Sequence, residues 1–304
     1  MSDRIIIIGA GAWGGALADL TRINGCEPSI WSRKCDRQLA EMVSQQTAIV
    51  SAVSMSGVRA VIAQLVGSIA PHQIIVTATK GLDAQTNLTP AQLWHQAFPL
   101  NPIVVLSGPN LSLEIQQGLP AATVVASENA DAANTIQEIF ASSKFRVYTN
   151  DDPVGVEIAG TVKNVIAIAA GTCDGLQLGN NAKSALLTRG LAEIVRIGQY
   201  WGGKTTTFYG LSGLGDLLTT CNSPLSRNYQ VGYGLSQGKT LSEVLARLQG
   251  TAEGVNTTKV LIKIADRHQI YLPITGLVDR LLAGTITAPE AIVALMSRDR
   301  KSEY

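Results

Sequence analysis

In the first half of the chain, short apolar runs rich in β-branched residues alternate with segments of helical periodicity. The runs predict strands at residues 4–8, 29–32, 48–53, 73–78, 103–107, 122–126 and 145–148. The helical segments between them include 57–69 and 130–140. Strands that alternate with helices in this way predict an α/β fold, with a doubly wound, mainly parallel sheet that helices cover.

After residue 152 the strand signal fades and long helical patterns replace it. These patterns cover residues 153–171, 181–200, 224–237, 241–248, 254–268 and 274–283. We therefore predict two domains, an α/β domain over residues 1–151 and an all-α domain over residues 152–304. At the start of the second domain, Asp152 is a suitable N-cap and Pro153 a suitable first residue of a helix.

A glycine-rich turn follows the first predicted strand. Residues 5–18 read IIIIGAGAWGGALA, and Gly9, Gly11 and Gly14 have the spacing G-x-G-x-x-G between a buried strand and a helix. The first glycine permits a tight turn, the second lets the backbone approach a pyrophosphate, and the third lets helix and strand pack closely. Because a helix N-terminus also attracts anions, the turn predicts a Rossmann-like dinucleotide-binding domain.

The end of the second predicted strand bears on the choice of cofactor. NAD-binding domains usually carry an acid there, which binds the 2′-hydroxyl of the adenosine ribose. Here Ser32 is followed by two cations, Arg33 and Lys34. Cations suit a 2′-phosphate, so this pattern favours NADP without excluding NAD. A solvated basic pair is the alternative.

One lysine lies in a helix that is otherwise apolar. Residues 153–171 read PVGVEIAGTVKNVIAIAAG, and a helix that is apolar on nearly every face is typically buried. Lys163 is thus predicted to lie inside the protein, where an ammonium is costly unless it is paired or functional. Desolvation lowers the pKa of a lysine, which suits it to proton transfer near neutral pH. The alternative is a lysine whose stem reaches water.

The three histidines do not compete with Lys163 for a catalytic role. His72 begins a predicted strand, His95 lies in a helical segment, and His268 lies in a polar run. None of them belongs to a recognisable site motif, which favours Lys163 as the proton donor.

The second half of the chain contains a group of polar residues that suit an anion. In residues 222–228, NSPLSRN, Ser223 is a suitable N-cap and Pro224 a suitable first residue of a helix. Three residues with hydrogen-bond donors then fall in its first turns: Ser226, Arg227 and Asn228. Such donors at a helix N-terminus suit a phosphate, whereas an ordinary capped helix with an exposed arginine is the alternative.

Three further segments carry candidate ligand groups. Asp216 ends a glycine-rich segment, and it either caps a helix or pairs with an inward lysine such as Lys163. Lys80 follows one predicted strand, and residues 107–110, SGPN, follow the next. Both lie at the carboxyl ends of strands, where open α/β sheets bind ligands. Lys80 alone also fits a solvated loop cation.

Composition and charge exclude several classes of protein. Of the 304 residues, 46% are hydrophobic and 15% charged, against a usual charged share of about 25%. This excludes an intrinsically disordered chain, predicts a large core and is compatible with a homodimer. The net charge of +1 gives no global attraction to nucleic acid or anionic membranes, and no uninterrupted apolar run approaches the roughly 18 residues of a membrane span.

The cysteines and the N-terminus bear on the compartment. Four cysteines are scattered without metal-ligand spacing, which predicts no metal site and no disulfide framework. The apolar run near the N-terminus is too short for a signal peptide. These features favour the reducing cytoplasm.

Together, eight segments resemble the bacterial-type NAD(P)-dependent glycerol-3-phosphate dehydrogenases. They are GAGAWG (9–14), WSR (31–33), ATKGL (78–82), SGPN (107–110), EIAGTVKNV (157–165), GLSGLGDL (210–217), SPLSRN (223–228) and AEGVNTT (252–258), in the family order. The resemblance implies reversible reduction of dihydroxyacetone phosphate to sn-glycerol 3-phosphate with NADP or NAD, which supplies glycerophospholipid biosynthesis. One departure is the short segment 34–47, where the family has a longer one.

The resemblance also implies roles for individual residues. It implies that Lys163 is the catalytic lysine and also contacts substrate. The other substrate-binding positions are Lys80, Gly108, Asn110, Asp216, Ser226, Arg227 and Asn228. The cofactor-binding positions are Gly9, Gly11, Trp13, Gly14, Arg33, Lys80, Ser112, Arg227 and Glu253.

Two other functions stay open on the residues. A related two-domain Rossmann dehydrogenase would act on another small hydroxy acid and ignore dihydroxyacetone phosphate. A non-catalytic NADP-binding sensor would keep the nucleotide fold without turnover. Retention of Lys163, Asp216 and the 226–228 cluster argues against the sensor.

Overall fold

The computed structural model describes residues 4–298, and the first half of them builds a seven-stranded sheet. Its strands are β1 (Ile5–Ile8), β2 (Ser29–Trp31), β3 (Ala48–Ser51), β4 (Ile74–Thr77), β5 (Ile103–Ser107), β6 (Ala121–Ala126) and β7 (Phe145–Asn150). Their order is β2-β1-β3-β4-β5-β6-β7, and all neighbours are parallel except the antiparallel pair β5 and β6. The predicted mainly parallel α/β sheet is confirmed.

Helices cover both faces of this sheet. They are α1 (Ala12–Ile23), α2 (Leu39–Val43), α3 (Met55–Leu65), α4 (Pro90–Ala97), α5 (Ser112–Gln116) and α6 (Ala130–Phe140). Ile5 and Ile7 lie in one core layer with apolar residues of α1, α5 and α6, whereas Ile6 and Ile8 lie in the other with α2, α3 and α4. Because alternate side chains of a strand point to opposite faces, the isoleucine run of β1 fills both layers.

The second half of the described chain is helical, as predicted. Its helices are α7 (Pro153–Gly175), α8 (Gly179–Tyr200), α9 (Thr205–Phe208), α10 (Asp216–Asn222), α11 (Arg227–Ser236), α12 (Leu241–Arg247), α13 (Glu253–His268), α14 (Pro273–Leu282) and α15 (Ala288–Met296), and one turn of π-helix, Leu211–Gly215, precedes α10. The predicted helices omit α9, α10 and α15. For α15 a signal was present, because Thr287 and Glu290 form the capping box that marks its start.

The predicted start of the helix at residues 224–237 is wrong. α11 begins three residues later, at Arg227, because its N-cap is Ser226 and not Ser223. The Ser226 hydroxyl accepts a hydrogen bond from the Tyr229 amide at 3.3 Å. The cluster at residues 226–228 therefore lies at the cap and first residues of the helix.

By their contacts the described residues form two compact units. The first contains residues 4–161 together with Gly198–Asp216, and the second contains Val162–Ile197 and residues 217–298. Within the first unit, the Asp152 carboxylate accepts hydrogen bonds from the Gly155 amide at the start of α7 (2.8 Å) and from the Thr207 hydroxyl (2.7 Å). Asp152 therefore caps the N-terminus of α7, as predicted. The domain boundary between residues 151 and 152 stays a prediction, and residues 1–3 and 299–304 lie outside the described residues.

α7 is a core helix. It is long and apolar enough to cross a membrane, but 89% of its most apolar window is buried inside the structure. In the second unit its backbone touches that of α11. A Cβ added at Gly171 would lie 2.0 Å from the Tyr229 carbonyl oxygen, and one added at Gly232 would lie 1.8 Å from the Ile168 carbonyl oxygen. Only glycine at these two positions allows the two helices to pack so closely.

Candidate active site

The glycine-rich turn joins β1 to α1. Gly9 has a φ of +119°, which side-chain-bearing residues rarely adopt, and its amide donates to the Trp31 carbonyl oxygen at 2.8 Å. A Cβ at Gly14 would lie 1.8 Å from the Gly9 carbonyl oxygen, whereas one at Gly11 would meet nothing within 4 Å. The third glycine therefore holds the helix against the turn, and the second leaves open space beside it.

The N-terminus of α1 fits the pyrophosphate of a dinucleotide. Gly11 is the N-cap, no side chain caps the helix, and no acidic residue lies in its first turn. Residues 10–12 are exposed, so amides without an intrahelical partner face an open surface that attracts anions. Trp13 is partly buried and packs against a core layer. Arg33, beyond β2, is exposed.

Lys80 and Asp216 form an ion pair in the first unit. Lys80 follows β4, and its ammonium lies 2.5 Å from Asp216 Oδ2 and 3.4 Å from the Gly108 carbonyl oxygen, to which it also donates. The Asp216 side chain is 2% exposed and that of Lys80 is 23% exposed. The Lys80 ammonium is therefore held in one direction by an ion pair and is not a solvated loop cation. Asp216 is the first residue of α10 and also the partner in this ion pair.

The segment after β5 presents buried polar atoms. The Asn110 amide group donates to the Thr123 hydroxyl at 2.8 Å. Asn110 Oδ1 and Ser107 Oγ are both buried and have no hydrogen-bond partner among the described residues. Ser112 is the first residue of α5 and is partly exposed. Polar atoms of this kind at the carboxyl ends of strands suit a small polar ligand.

Lys163 lies inside the protein, as the apolar pattern of α7 predicts. Its residue is 6% exposed, and in the second unit its ammonium donates to the Thr220 hydroxyl on α10. The hydroxyl accepts this hydrogen bond without carrying a charge, and the contact orients the ammonium. The catalytic role of Lys163 stays a prediction.

An amide network next to Lys163 links three helices of the second unit. Asn228 is buried on α11, and its amide group donates to Asn164 Oδ1 of α7 at 2.9 Å. Its own Oδ1 accepts from the Gly254 amide of α13 at 2.9 Å. Asn228 therefore fixes the relative positions of α7, α11 and α13.

Arg227 and Glu253 both stand at helix starts. Arg227 is the exposed first residue of α11, and its Nη1 lies so close to Gly250 that a Cβ there would approach it to 2.5 Å. Glu253 is the first residue of α13, and its Oε1 accepts from the Thr251 hydroxyl at 3.1 Å. An exposed guanidinium at a helix N-terminus suits a phosphate.

A buried carboxyl lies in the first unit, on α7. Glu157 is 4% exposed and accepts hydrogen bonds from the Ala91 amide at 2.8 Å and from the Thr89 hydroxyl. Burial raises its pKa from 4.5 to about 7, although these hydrogen bonds act in the opposite direction. The carboxyl therefore accepts hydrogen bonds from the N-cap residue and the first turn of α4.

Four polar residues near these groups do not follow from the sequence analysis. They are Glu157, Thr161, Asn164 and Thr220. Glu157 and Asn164 carry the same signal that singles out Lys163, a polar side chain in an apolar helix. The two threonines carry no signal, because a threonine in a buried helix usually satisfies its hydroxyl on the helix itself.

Comparisons with known families match most of the chain. Residues 34–133 match the model described as NAD-dependent glycerol-3-phosphate dehydrogenase N-terminus, and residues 152–293 match the model of the C-terminus of the same family.

Individual relatives match over almost the full length. A glycerol-3-phosphate dehydrogenase [NAD(P)+] from Trichormus variabilis is 60% identical over 301 residues, which cover 99% of this chain and 98% of that protein. One of the same name from Synechocystis sp. is 58% identical, with 99% of this chain and 95% of that protein covered. The crystal structure of glycerol-3-phosphate dehydrogenase from Coxiella burnetii superposes with a TM-score of 0.93 at 33% identity, covering 98% of this chain and 99% of that one.

Proposed function

The chain belongs to the NAD-dependent glycerol-3-phosphate dehydrogenase family, and from that premise we propose how its residues carry out the reaction. It is an oxidoreductase that interconverts dihydroxyacetone phosphate and sn-glycerol 3-phosphate with NAD or NADP. The observation that carries this function is the 60% identity to an enzyme of that name over 99% of the chain. A dehydrogenase for another hydroxy acid and a non-catalytic sensor are not favoured.

Lys163 exchanges the proton in the proposed mechanism. When bound, the nicotinamide supplies the hydride for reduction and accepts it in the reverse direction. The Lys163 ammonium donates a hydrogen bond to the C2 oxygen of the substrate and gives its proton to the alkoxide that develops there. In the reverse direction the neutral amine takes the proton of the C2 hydroxyl. Its burial and its contact with Thr220 support this role, because both hold the amine in one place.

Lys80, Asp216 and the segment after β5 orient the substrate. The Lys80 ammonium contacts the polar end of the substrate, and the Asp216 carboxylate keeps that ammonium in one direction. Gly108 and Asn110 complete the contacts with backbone and amide groups. The buried Oδ1 of Asn110 supports this assignment, since it has no hydrogen-bond partner among the described residues.

The start of α11 binds the substrate phosphate. Arg227 supplies a guanidinium, Asn228 an amide held by its hydrogen bonds to α7 and α13, and Ser226 the helix cap. Charge-assisted hydrogen bonds from a guanidinium are among the strongest that a phosphate receives.

The turn and the end of β2 hold the cofactor. Gly9, Gly11 and Gly14 shape the anion site at α1, and Trp13 flanks it. Arg33 binds the 2′-phosphate, which favours NADP over NAD. Further cofactor contacts come from Lys80, Ser112, Arg227 and Glu253.

One assay tests the overall function. Oxidation of NADPH and of NADH is followed by absorbance under three conditions. They are dihydroxyacetone phosphate, the non-phosphorylated keto form of a small hydroxy acid, and no substrate. Turnover that requires the phosphorylated ketone supports the function. Turnover with the other substrate alone, or none with either, contradicts it.

Arg227→Ala is expected to raise the KM for dihydroxyacetone phosphate. A hydrogen bond to a charged group contributes roughly 1.5–3 kcal/mol, so the expected rise is roughly ten- to hundredfold. The control is Arg247→Ala, which removes another exposed arginine, from α12. Steady-state kinetics measures both variants, and an unchanged KM for Arg227→Ala would move the phosphate site elsewhere.

Arg33→Ala is expected to weaken binding of NADPH about tenfold or more while NADH binding changes little, because only NADPH has the 2′-phosphate. Titration of each cofactor by protein fluorescence gives the two dissociation constants. Arg146→Ala, on β7 at the opposite edge of the sheet, is the control. Equal losses for the two cofactors in Arg33→Ala would contradict the 2′-phosphate contact.

We also propose a homodimer in the cytoplasm. The low share of charged residues and exposed apolar side chains on α15, such as Val293 and Met296, support self-association. The free thiols of Cys35 and Cys173 are compatible with a reducing compartment. Analytical ultracentrifugation measures the oligomeric state, and a monomer at micromolar concentration would contradict the dimer.

A further inference from the structure

We propose that Gly160 and Thr161 of α7 are positioning residues that fix the direction of the Lys80 ammonium. The inference rests on the proposed function, in which Lys80 contacts the substrate. Gly160 and Thr161 belong to the first unit, as do Lys80 and its partner Asp216. Four contacts within that unit carry the argument.

The first two contacts hold the backbone on either side of Lys80. The Gly81 amide donates to the Thr161 hydroxyl at 3.1 Å, and the Thr161 side chain is fully buried. On the other side, the Thr79 hydroxyl donates to the Val53 carbonyl oxygen at 2.9 Å. The loop therefore leaves β4 in one conformation, and Lys80 stands between two anchored neighbours.

The third contact concerns the stem of Lys80. A Cβ added at Gly160 would lie 3.4 Å from Lys80 Cε and 2.3 Å from Ser107 Oγ. The end of the lysine stem thus lies at van der Waals distance from this position, close to the backbone of α7. A side chain at residue 160 would displace Ser107 at the end of β5, whereas its Cβ would just touch the stem.

The fourth contact holds the ammonium itself. Its ion pair with Asp216, at 2.5 Å, is formed by a carboxylate that is almost completely buried. A lysine side chain has several rotatable bonds and keeps one direction only where its surroundings restrict it. Here the loop, the stem and the head of Lys80 are each held, and α7 supplies the restraint for the loop and for the stem.

Thr161→Val tests the contribution of the hydroxyl. Valine has nearly the shape of threonine but accepts no hydrogen bond, so the Gly81 amide loses its partner. A misplacement of about 1 Å can cost about 10²-fold in rate, and we expect kcat/KM for dihydroxyacetone phosphate to fall about tenfold. Thr161→Ser keeps the acceptor and should remain within about twofold of the native enzyme.

The matched control is Thr172→Val. Thr172 is also a buried threonine of α7, and its hydroxyl donates to the carbonyl oxygens of Ile168 and Gly232, away from the Lys80 loop. A general loss of helix stability would lower the melting temperature in both valine variants. A positioning role lowers kcat/KM in Thr161→Val alone.

Amide exchange gives a readout that does not depend on turnover. In the native protein and in Thr161→Ser, the Gly81 amide should exchange slowly with solvent deuterium, because it is buried and hydrogen-bonded. In Thr161→Val its exchange should be at least about tenfold faster. Equal exchange rates in native and Thr161→Val protein would overturn the proposal.

A double-mutant cycle with Lys80→Met separates this inference from the proposed function. If Thr161 acts through Lys80, Thr161→Val causes no further loss of kcat/KM in the Lys80→Met background. If Lys80→Met leaves kcat/KM unchanged, the substrate role of Lys80 fails and the positioning role fails with it. If Lys80→Met lowers kcat/KM and Thr161→Val does not, the positioning role alone is overturned.

Discussion

Lys163→Ala is expected to lower kcat for the reduction of dihydroxyacetone phosphate by at least about 10²-fold, the lower range for loss of a positioned proton donor. The variant loses the group that gives its proton to the alkoxide, and an alanine side chain has no proton to donate. Cofactor affinity should survive, since the glycine turn and Arg33 are unchanged. Steady-state kinetics and a cofactor titration measure the two quantities.

Two further variants show whether the fall in kcat comes from the lost ammonium or from lost packing. Lys163→Met keeps most of the volume of the buried stem and should show the same fall in kcat as Lys163→Ala. Lys259→Ala, which removes an exposed lysine from α13, should leave kcat unchanged. Near-normal turnover in Lys163→Met would reject the assignment of the proton donor.

Glu157→Gln is expected to change how the free energy of unfolding depends on pH. The pKa of the Glu157 carboxyl is raised from 4.5 to about 7 in the folded protein, chiefly by burial. The folded state therefore keeps the proton to a higher pH than the unfolded state does. The stabilising contribution of the protonated carboxyl is complete below about pH 4.5 and is lost as the pH rises to about 7.

The size of this loss follows from the shift. One pKa unit corresponds to about 1.4 kcal/mol, so a rise from 4.5 to about 7 corresponds to about 3 kcal/mol. Glutamine has no proton to lose and can still accept from the Ala91 amide. Relative to native protein, Glu157→Gln should therefore gain about 3 kcal/mol in unfolding free energy between pH 4.5 and pH 8.

Urea unfolding at several pH values measures this difference. The control is Asn134→Ala, at an exposed position of α6, which neither adds nor removes an ionisable group, so its difference from native protein should stay nearly constant with pH. A constant difference for Glu157→Gln as well would show that the buried carboxyl titrates as it does in the unfolded chain.

The sheet was predictable because its signals are local. β1 consists of four isoleucines, and residues 103–107 form β5 as the apolar run predicts. The antiparallel direction of β6 is not a local property. It depends on how the chain returns to the sheet after α5, and the alternation of apolar residues is the same in parallel and antiparallel strands.

Site residues were predictable where a residue type is unusual for its position in the sequence. Lys163 stands out as a charge in an apolar helix, and the glycines of the turn stand out by their spacing. Pairings were harder, because they depend on tertiary contacts. The candidate pairing of Asp216 with Lys163 stays a prediction, whereas its ion pair with Lys80 joins residues far apart in sequence and no periodicity indicates it.

Hydroxyl partners were the least predictable part. Thr161 and Thr220 lie in helices where a threonine is unremarkable, and their use as acceptors appears only when the loop at Gly81 and the Lys163 ammonium are placed. The start of α11 shows the same limit on a smaller scale. Ser223 and Ser226 are both suitable caps, and only the contact with Tyr229 decides between them.

The close contact between the backbones of α7 and α11 restricts which mutations the gene for this protein can accumulate. Every single-base change of a glycine codon that keeps the reading frame open either is silent or adds a side chain. At Gly171 and Gly232 such a change places an atom about 2 Å from a carbonyl oxygen of the facing helix, whereas at Gly276 it meets nothing within 4 Å. We expect natural variants to tolerate replacement at codon 276 and to purge it at codons 171 and 232.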